Sequence, residues 1–310
     1  MDDRIPIIMD CDPGHDDAIA LLMALASEKI NVLGVTTTAG NQTLAKTTAN
    51  ARKILSFVGS HVPLAKGNEK PMARELEIAP AVHGASGMDG PVFPPNDYPV
   101  SSEPAWDFSR RLILASPVPV TLVATGPQTN LGILLSKYPE VKKNIREIAF
   151  LGGGIDHGNW TAAAEFNILV DPEAVKIVLE SGLPIRMVGL DVTEKALMKH
   201  ADIEELRNDG RPVPVLVAQL LDFFLKFHEE IGFAGAPMHD PCVIAYLIDP
   251  IIFKMVPYYL QVETRGTITT GMILADKRLN NKKPSPNAEV AMEIDRDRFI
   301  ALLKKLVKSY

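Results

Sequence analysis

Residues 9–20 read MDCDPGHDDAIA, a stretch that predicts a buried strand, a tight turn and a helix in succession. Four carboxylates fall within eight residues of it: Asp10, Asp12, Asp16 and Asp17. The first two are two residues apart, so their side chains point to the same face of a strand. Pro13-Gly14 then ends the strand, and the last two carboxylates stand where an apolar helical pattern begins.

These four negative charges repel one another, and a helix N-terminus offsets only about 0.3–1 kcal/mol per charge. A bound hard cation with oxygen ligands would remove the conflict, and calcium and magnesium both fit that ligand type. In the simpler alternative, Asp16 and Asp17 cap the helix while the other two carboxylates are solvated. The clustering after an apolar strand favours a metal site without distinguishing the two cations.

Composition places the chain among soluble globular proteins, because its 310 residues are 46% hydrophobic and 23% charged. A net charge of −6 argues against a nucleic-acid surface. The sequence has neither a signal-peptide pattern nor an apolar run of about 18 residues, which argues against a membrane span. Cys11 and Cys242 lack CxxC spacing, so we expect a reducing, cytoplasmic location. Lys282-Lys283 is predicted to be a solvated pair.

Apolar runs alternate with helical patterns along the chain. The strands are predicted at Ile5–Cys11, Ile30–Thr37, Val118–Ala124, Glu147–Leu151, Pro184–Leu190 and Tyr259–Glu263. The helices are predicted at Asp16–Ser27, Leu44–Val58, Trp106–Ala115, Asn130–Lys137, roughly Ile203 to Glu230, and Asp295–Ser309. This alternation predicts an α/β fold with a parallel sheet covered by helices on both faces.

Polar residues follow several predicted strands, where parallel sheets bind their ligands. They are Asp10 and Asp12, residues 38–41, Thr125-Gly126, Gly152–Gly154 and Asp191. Residues 66–105 are rich in Pro, Gly and charge, which is typical of a functional or disordered loop. Taken alone, His83 in this loop is predicted to be a surface histidine.

Two further segments carry polar groups suited to a ligand. The segment GGGIDHGNWTAAAEFN (residues 152–167) offers Asn159, Glu165 and Asn167 as partners for hydroxyl groups. Its simpler interpretation is a Gly-rich turn with a capping glutamate. In GAPMHDPCVIAYL (residues 235–247), a helix is predicted to begin at His239-Asp240-Pro241, which would make Asp240 an ordinary N-cap.

In its motifs the chain resembles the inosine-uridine preferring nucleoside hydrolases, which are calcium-dependent ribohydrolases. The motifs occur in family order along nearly the whole chain: DCDPGHDDAIA, AGNQT, HGASGMDG, TGPQTN, GGG…GN…AEFN, DPEA, GLDVT and HDP. The first and fifth are highly specific. The resemblance implies a single open α/β domain over residues 1–310, with a mostly parallel sheet, a Rossmann-like core and a helical C-terminal region. It also implies a homo-oligomer, either a dimer or a tetramer.

The resemblance implies a role for each matched residue. Asp12 would bind calcium and act as general base, and Asp10 would support the metal shell. The other calcium ligands would be Asp17, the Thr125 carbonyl and Asp240. For Asp240, the resemblance therefore implies a metal ligand instead of an N-cap. The residues placed at the ribose are Asp16, Asn159, Glu165 and Asn167, and Asn41 lies near the ribose and the nucleophilic water.

On the base side, His239 matches the histidine near the leaving base, and His83 matches a loop histidine. Phe166 or Trp160 would stack on the base, although either could instead be core packing. The chain departs from pyrimidine-preferring relatives at Ile231, at Phe227 and in ADKRLNN (residues 275–281).

The predicted function is therefore calcium-dependent hydrolysis of ribonucleosides to ribose and free base, with a preference for uridine and cytidine. A purine-preferring or nonspecific hydrolase would share all the metal and ribose residues. A phosphotransferase with an Asp nucleophile is disfavoured because Pro13-Gly14 follows Asp12. A catalytically silent nucleoside-binding protein is disfavoured because Asp12, Asp17 and Asp240 are all present. Neither phosphate nor NAD should be needed.

Overall fold

A computed structural model describes residues 3–279 and 284–310, so the predicted Lys282-Lys283 pair lies outside the described residues. The strands are β1 (Ile5–Cys11), β2 (Ile30–Thr37), β3 (Leu64–Lys66), β4 (Val120–Ala124), β5 (Ile145–Leu151), β6 (Ile185–Val188), β7 (Leu197–Met198), β8 (Ala236–Pro237), β9 (Phe253–Tyr258), β10 (Leu260–Val262), β11 (Ile273–Ala275) and β12 (Ala288–Ile294).

The helices surround the sheet. They are α1 (His15–Ala26), α2 (Leu44–Phe57), α3 (Pro80–His83), α4 (Ala105–Ala115), α5 (Thr129–Lys137), α6 (Phe166–Val170), α7 (Pro172–Leu179), α8 (Leu190–Thr193), α9 (His200–Arg207), α10 (Pro212–Glu230), α11 (His239–Ile248) and α12 (Arg296–Val307). Two 3₁₀ helices span Pro139–Asn144 and Pro250–Ile252. In the described part of the chain, no helix is both long and apolar enough to cross a membrane.

The main sheet has eight strands in the order β3-β2-β1-β4-β5-β6-β12-β9. Its pairs are parallel except for β9, which runs antiparallel to β12 at one edge. The chain leaves β1 towards β2 on one side and returns to β4 on the other. The crevice between the carboxyl ends of β1 and β4 is therefore a topological switch point, where α/β sheets bind ligands.

The sheet is buried on both faces, as its apolar strands require. On β1, Ile7 and Met9 belong to one apolar cluster, which includes α1, α10, α11 and α12. Ile8 belongs to the other cluster, which includes residues of α5 and α7. The predicted α/β architecture with helices on both faces is confirmed, and the C-terminal helix α12 is capped by Asp295, which accepts from the Arg298 N–H.

Several predicted boundaries differ from the structure. The bounds of β1 and β2 are as predicted, but the single helical region over 203–230 is wrong. The chain forms α9 and α10 there, and Gly210 between them has a φ of +77°. The predicted strand at 259–263 is shortened to β10, which pairs with β11 outside the main sheet. Strands β3, β9 and β12 were not predicted.

Candidate active site

The carboxyl ends of β1 and β4 bring the first motif and the TGPQTN motif together. Asp10 pairs with Thr36 of β2 and with Ala124 of β4. The residues that follow these strands, among them Asp12 and Thr125, therefore lie at one edge of the sheet.

Asp12 is fully buried, and its carboxylate is held from one side. Its Oδ2 accepts the Asn41 backbone N–H at 2.6 Å, while the Asn41 side chain donates to the Asp12 carbonyl at 3.1 Å. Its Oδ1 has no hydrogen-bond partner within the described residues. Gly40 and Gly126 make this approach possible, because a Cβ atom at either position would overlap the Asp12 carboxylate.

Asp17 links the turn, the helix and β4. Its carboxylate accepts the Gly14 N–H at 3.0 Å, which caps α1, and the Thr125 hydroxyl at 2.8 Å. The Asn41 side chain donates to the same carboxylate at 3.0 Å. The backbone carbonyl of the same Thr125 accepts the Asn167 side-chain amide at 2.8 Å. The capping interpretation is thus correct for Asp17, although the residue is buried among other carboxylates.

Three carboxylates form a tight group at this point. Asp16, Asp17 and Asp240 each place an oxygen within 4.8 Å of the others, and all three side chains are buried. Asp16 and Asp17 lie in the first turn of α1, and Asp240 lies in the first turn of α11. The predicted N-cap role of Asp240 is wrong, since α11 begins at His239 and its N-cap residue is Met238. Asp12 adjoins this group, because its backbone N–H donates to the Asp17 carboxylate at 3.3 Å.

Burial raises the pKa of all three carboxyls, and repulsion between carboxylates raises the pKa of Asp16 and Asp240 further. Burial, followed by the charge of Asp17, raises the pKa of Asp16 to about 8 and that of Asp12 well above its usual value. Burial and the charges of Asp16 and Asp17 do the same to the pKa of Asp240. None of the described residues that line the cleft is Lys or Arg. An oxygen-lined, anionic group without a basic partner fits a divalent cation.

Asp10 is buried near the end of β1, and its hydrogen bonds go to residues outside the group of three carboxylates. Its Oδ1 accepts the Thr36 hydroxyl at 2.6 Å and the Asn130 side-chain amide at 2.8 Å, whereas its Oδ2 has no partner within the described residues. Burial raises the pKa of Asp10 to about 7. The alternative that Asp10 and Asp12 are solvated is therefore wrong. Sequence reasoning did not predict the role of Asn130, the last residue of TGPQTN.

The predicted ribose residues line the same cleft. Glu165 caps α6, because its carboxylate accepts the N–H groups of Asn167, Ile168 and Gly153 at 2.9–3.1 Å. Asn159 orients the same segment by accepting the Phe166 N–H at 3.0 Å. The capping interpretation of Glu165 is therefore correct, and the residue faces the cleft as well.

Aromatic rings and histidines also line the cleft, which is open to solvent. They include the predicted His83, His239 and Phe166, and Phe227 and Ile231 also line it. The sequence did not predict Phe224 and His228, which also line it, because apolar helical spacing in α10 is typical of core, nor Phe233, which follows α10 outside any helix or strand. The Trp160 ring packs edge-on against Phe166, with centroids 4.8 Å apart.

Burial lowers the pKa of the histidines that line the cleft. Burial lowers the pKa of His239 to about 3, and its Nδ1 lies 2.8 Å from the Thr193 hydroxyl. Burial also lowers the pKa of His83 well below its usual value, and only 5% of this residue is exposed. The residue-level prediction of a surface histidine is therefore wrong for His83.

The sequence profile of the inosine-uridine preferring nucleoside hydrolases matches residues 7–301. The chain belongs to this family. A nucleoside hydrolase described as pyrimidine-specific, from Salmonella arizonae, is 49% identical over 310 residues, which cover 99% of both chains. A pyrimidine-specific ribonucleoside hydrolase of Citrobacter koseri is 48% identical with the same coverage.

Solved structures agree with this assignment. The structure of a purine-preferring ribonucleoside hydrolase from Gardnerella vaginalis superposes with a TM-score of 0.91 at 31% identity, over 98% of this chain and 100% of that one. Membership of the nucleoside hydrolase family makes this chain an N-glycosyl hydrolase.

The raised pKa values predict how the stability of the nucleoside hydrolase depends on pH in the presence of a chelator. Asp16 has a pKa of about 8 in the folded chain, against about 3.9 when unfolded. The folded state binds more protons between these values, so the free energy of unfolding should fall as the pH rises from about 4 to about 8. Calorimetry in EDTA should show this decline, and Asp16→Asn should make it shallower.

Asp297→Asn is the matched control, because Asp297 is an exposed aspartate in α12. It should leave the pH dependence of the parent unchanged. An equally steep decline in Asp16→Asn would contradict the assignment of the raised pKa to this carboxyl.

Proposed function

We propose that this hydrolase cleaves the N-glycosidic bond of ribonucleosides to ribose and free base, with calcium bound at the acidic group. The observation that carries the proposal is that Asp16 and Asp240, which group with Asp17, line one cleft with Glu165 and Asn167. The acidic group offers buried oxygens without a Lys or Arg partner among the described residues that line the cleft, and Glu165 and Asn167 offer groups that can bind hydroxyls. This combination suits a metal-assisted attack of water on a sugar.

Asp12, Asp17, Asp240 and the Thr125 carbonyl would hold the cation. When bound, the cation supplies Lewis-acid polarisation and offsets the carboxylate charge. Asp16 lies in the same group of oxygens, but it also lines the cleft, and we propose that it binds ribose hydroxyls. Asp10 supports the shell through its bonds to Thr36 and Asn130.

Asp12 is the proposed general base. The Asn41 N–H fixes Oδ2, which leaves Oδ1 as the oxygen able to accept a proton from the attacking water. Asn41 is proposed to act with it, because its side chain bridges the Asp12 carbonyl and the Asp17 carboxylate. Asn41 therefore connects Asp12, the proposed general base, with Asp17 of the acidic group.

Asp16, Asn159, Glu165 and Asn167 are the proposed ribose clamp. The Glu165 carboxylate is fixed by three N–H groups, so it can accept from a hydroxyl without reorganising. The C1′–N bond would then break through an oxocarbenium-like state, and water would attack from the opposite face.

His239 is the proposed hydrogen-bond donor to the departing base. Since it is neutral, it offers one ring N–H rather than a full positive charge. His83 is the proposed second contact to the base, and Phe166 is the proposed stacking partner.

A preference for uridine and cytidine is proposed from the names of the relatives that are 48–49% identical. The alternative, a purine-preferring or nonspecific hydrolase, is supported by the purine-preferring enzyme at 31% identity, which shares the fold. Phe227 and Ile231 line the cleft at the base end, where the chain departs from the pyrimidine pattern.

The remaining expectations are also proposals. A single domain over 1–310 is supported by the main sheet, which contains both β1 and β12 from opposite ends of the chain. We propose a cytoplasmic homo-oligomer, a dimer or a tetramer, that acts in nucleoside salvage or catabolism. No nucleic-acid or membrane partner is proposed, in keeping with the net charge of −6.

Replacing the base tests the mechanism. Asp12→Ala should lower the rate of ribose release by roughly a hundredfold to ten-thousandfold, because it removes the proton acceptor and a metal ligand. The measurement is reducing-sugar release from uridine at saturating calcium, with the melting temperature recorded to show that the variant folds. Asp297→Ala is the control and should keep the parental rate. Parental turnover in folded Asp12→Ala would refute the role of Asp12.

A panel of nucleosides tests the substrate class and the metal. Ribose release should be faster from uridine and cytidine than from inosine and adenosine, and a chelator should abolish it until calcium is restored. Faster release from inosine would keep the mechanism and favour the alternative specificity. If folded, calcium-loaded protein released no ribose from any of the four, the proposed function would be wrong.

A further inference from the structure

His15 lies in the first motif between Gly14 and Asp16, and none of the roles described above uses it. Its side chain is fully buried behind His83. The His15 ring is nearly parallel to three others, with centroids 5.4 Å from His83, 5.0 Å from Phe223 and 5.6 Å from Phe224, at interplanar angles of 17°, 2° and 17°. His15 therefore has a fixed orientation with both ring nitrogens in defined surroundings.

The hydrogen bonds of His15 determine its tautomer. Its Nε2 lies 2.7 Å from the Asp89 backbone carbonyl, which can only accept, so Nε2 carries the proton. A neutral imidazole has one donor and one acceptor nitrogen, which makes the His15 Nδ1 an acceptor. This Nδ1 lies 3.1 Å from the Nδ1 of His83. The His83 Nδ1 must therefore donate, and its Nε2 is left with a lone pair.

The opposite arrangement, in which the His83 Nδ1 accepts a hydrogen bond, is less favourable. The His15 backbone N–H also approaches the His83 Nδ1, at 3.4 Å, and would require that atom to accept. A neutral His15 would then have to donate from Nδ1 and direct the lone pair of Nε2 at the Asp89 oxygen, 2.7 Å away. A doubly protonated His15 would place a charged ring at a fully buried position, which costs free energy. The contacts of 2.7 Å to the Asp89 carbonyl and 3.1 Å between the Nδ1 atoms therefore determine the tautomer, and the weaker contact of 3.4 Å does not.

The loop HGASGMDG (residues 83–90) holds the carbonyl that starts this chain of hydrogen bonds. The Asp89 carboxylate accepts the N–H groups of Ala85 and Ser86 at 2.8 and 2.9 Å. The Asp89 N–H donates to the His83 carbonyl at 3.3 Å. The loop thus closes on itself and fixes the Asp89 carbonyl against His15.

We propose that His15 is a positioning residue that holds His83 in the Nδ1–H tautomer, so that His83 presents an unprotonated Nε2 to the base end of the cleft. His83 lines the cleft, and its Nε2 makes no hydrogen bond to the described part of the chain. His83 is then an acceptor for an N–H of the nucleobase, such as those of uracil, cytosine or hypoxanthine, and His239 is the donor. This assignment of roles rests on the proposed nucleoside hydrolysis.

The tautomer can be observed without any turnover. Two-dimensional ¹⁵N–¹H NMR of the full chain, labelled at histidine, should show His83 protonated at Nδ1 and unprotonated at Nε2 at neutral pH. A His83→Phe spectrum assigns the signals by their loss. An Nε2–H tautomer of His83 in the unmodified protein would overturn the proposal.

His15→Phe tests the positioning role, because it keeps a stacked ring and removes the acceptor. The His83 Nδ1 would then face only the residue-15 backbone N–H, so the proton should move to Nε2. With uridine, KM should rise about tenfold while kcat stays within about threefold, as expected for a contact made equally in the ground and transition states. His61→Phe, at an exposed histidine, is the control and should change neither quantity.

A folded His15→Phe with the parental His83 tautomer and parental KM would overturn the proposal. If this variant does not fold, His15→Ala removes both ring nitrogens without adding volume and is measured in the same way. Failure of the proposed function would give a different result. No nucleoside would release ribose, but His83 in the unmodified protein would still be protonated at Nδ1.

Discussion

The burial of aspartates at the carboxyl ends of β1 and β4 is the constraint on which the rest of the site depends. Charged carboxylates are stable in such a place only if they are protonated, hydrogen-bonded or paired with a cation. The fold supplies part of the compensation. Helices α1 and α11 both direct their N-terminal turns at the group, and N–H groups of the turn bind Asp17. A divalent cation would supply the remainder.

The residues that surround the buried aspartates also form part of the cleft. The Thr125 hydroxyl donates to Asp17 and its carbonyl accepts from Asn167, so the acidic group and the proposed ribose clamp share one residue. Glu165 is both a helix cap and a lining residue, which couples the shape of the cleft to the folding of α6. At the other end, stacked rings and neutral histidines form an apolar surface suited to a nucleobase.

The sequence predicted the parts of this molecule that have a strong local signal. Strand β1 is mostly apolar until Asp10, and β2 has an apolar centre, and the bounds of both were predicted correctly. Strand β12 contains Glu289 and Glu293, and β9 contains Lys254 and Pro257, so neither has the continuous apolar run that is typical of a buried parallel strand.

At the site, the charge pattern indicated a metal, and the family resemblance supplied Asp240, whose local context indicated only a helix cap. Phe224 and His228 were not predicted, because their spacing in α10 is the same as that of core residues, and nothing in the sequence places His15 against the loop of residues 83–90. Only the approach of α10 and the loop before Phe93 to the first motif makes these residues part of the cleft or its support.

Calorimetric titration of calcium into chelator-treated protein tests the central claim most directly. The buried acidic group predicts one calcium ion bound per chain, and the loss of that binding in Asp240→Asn while Asp297→Asn binds as the parent does. Folded protein that binds no calcium, or Asp240→Asn that binds it with parental affinity, would contradict the account.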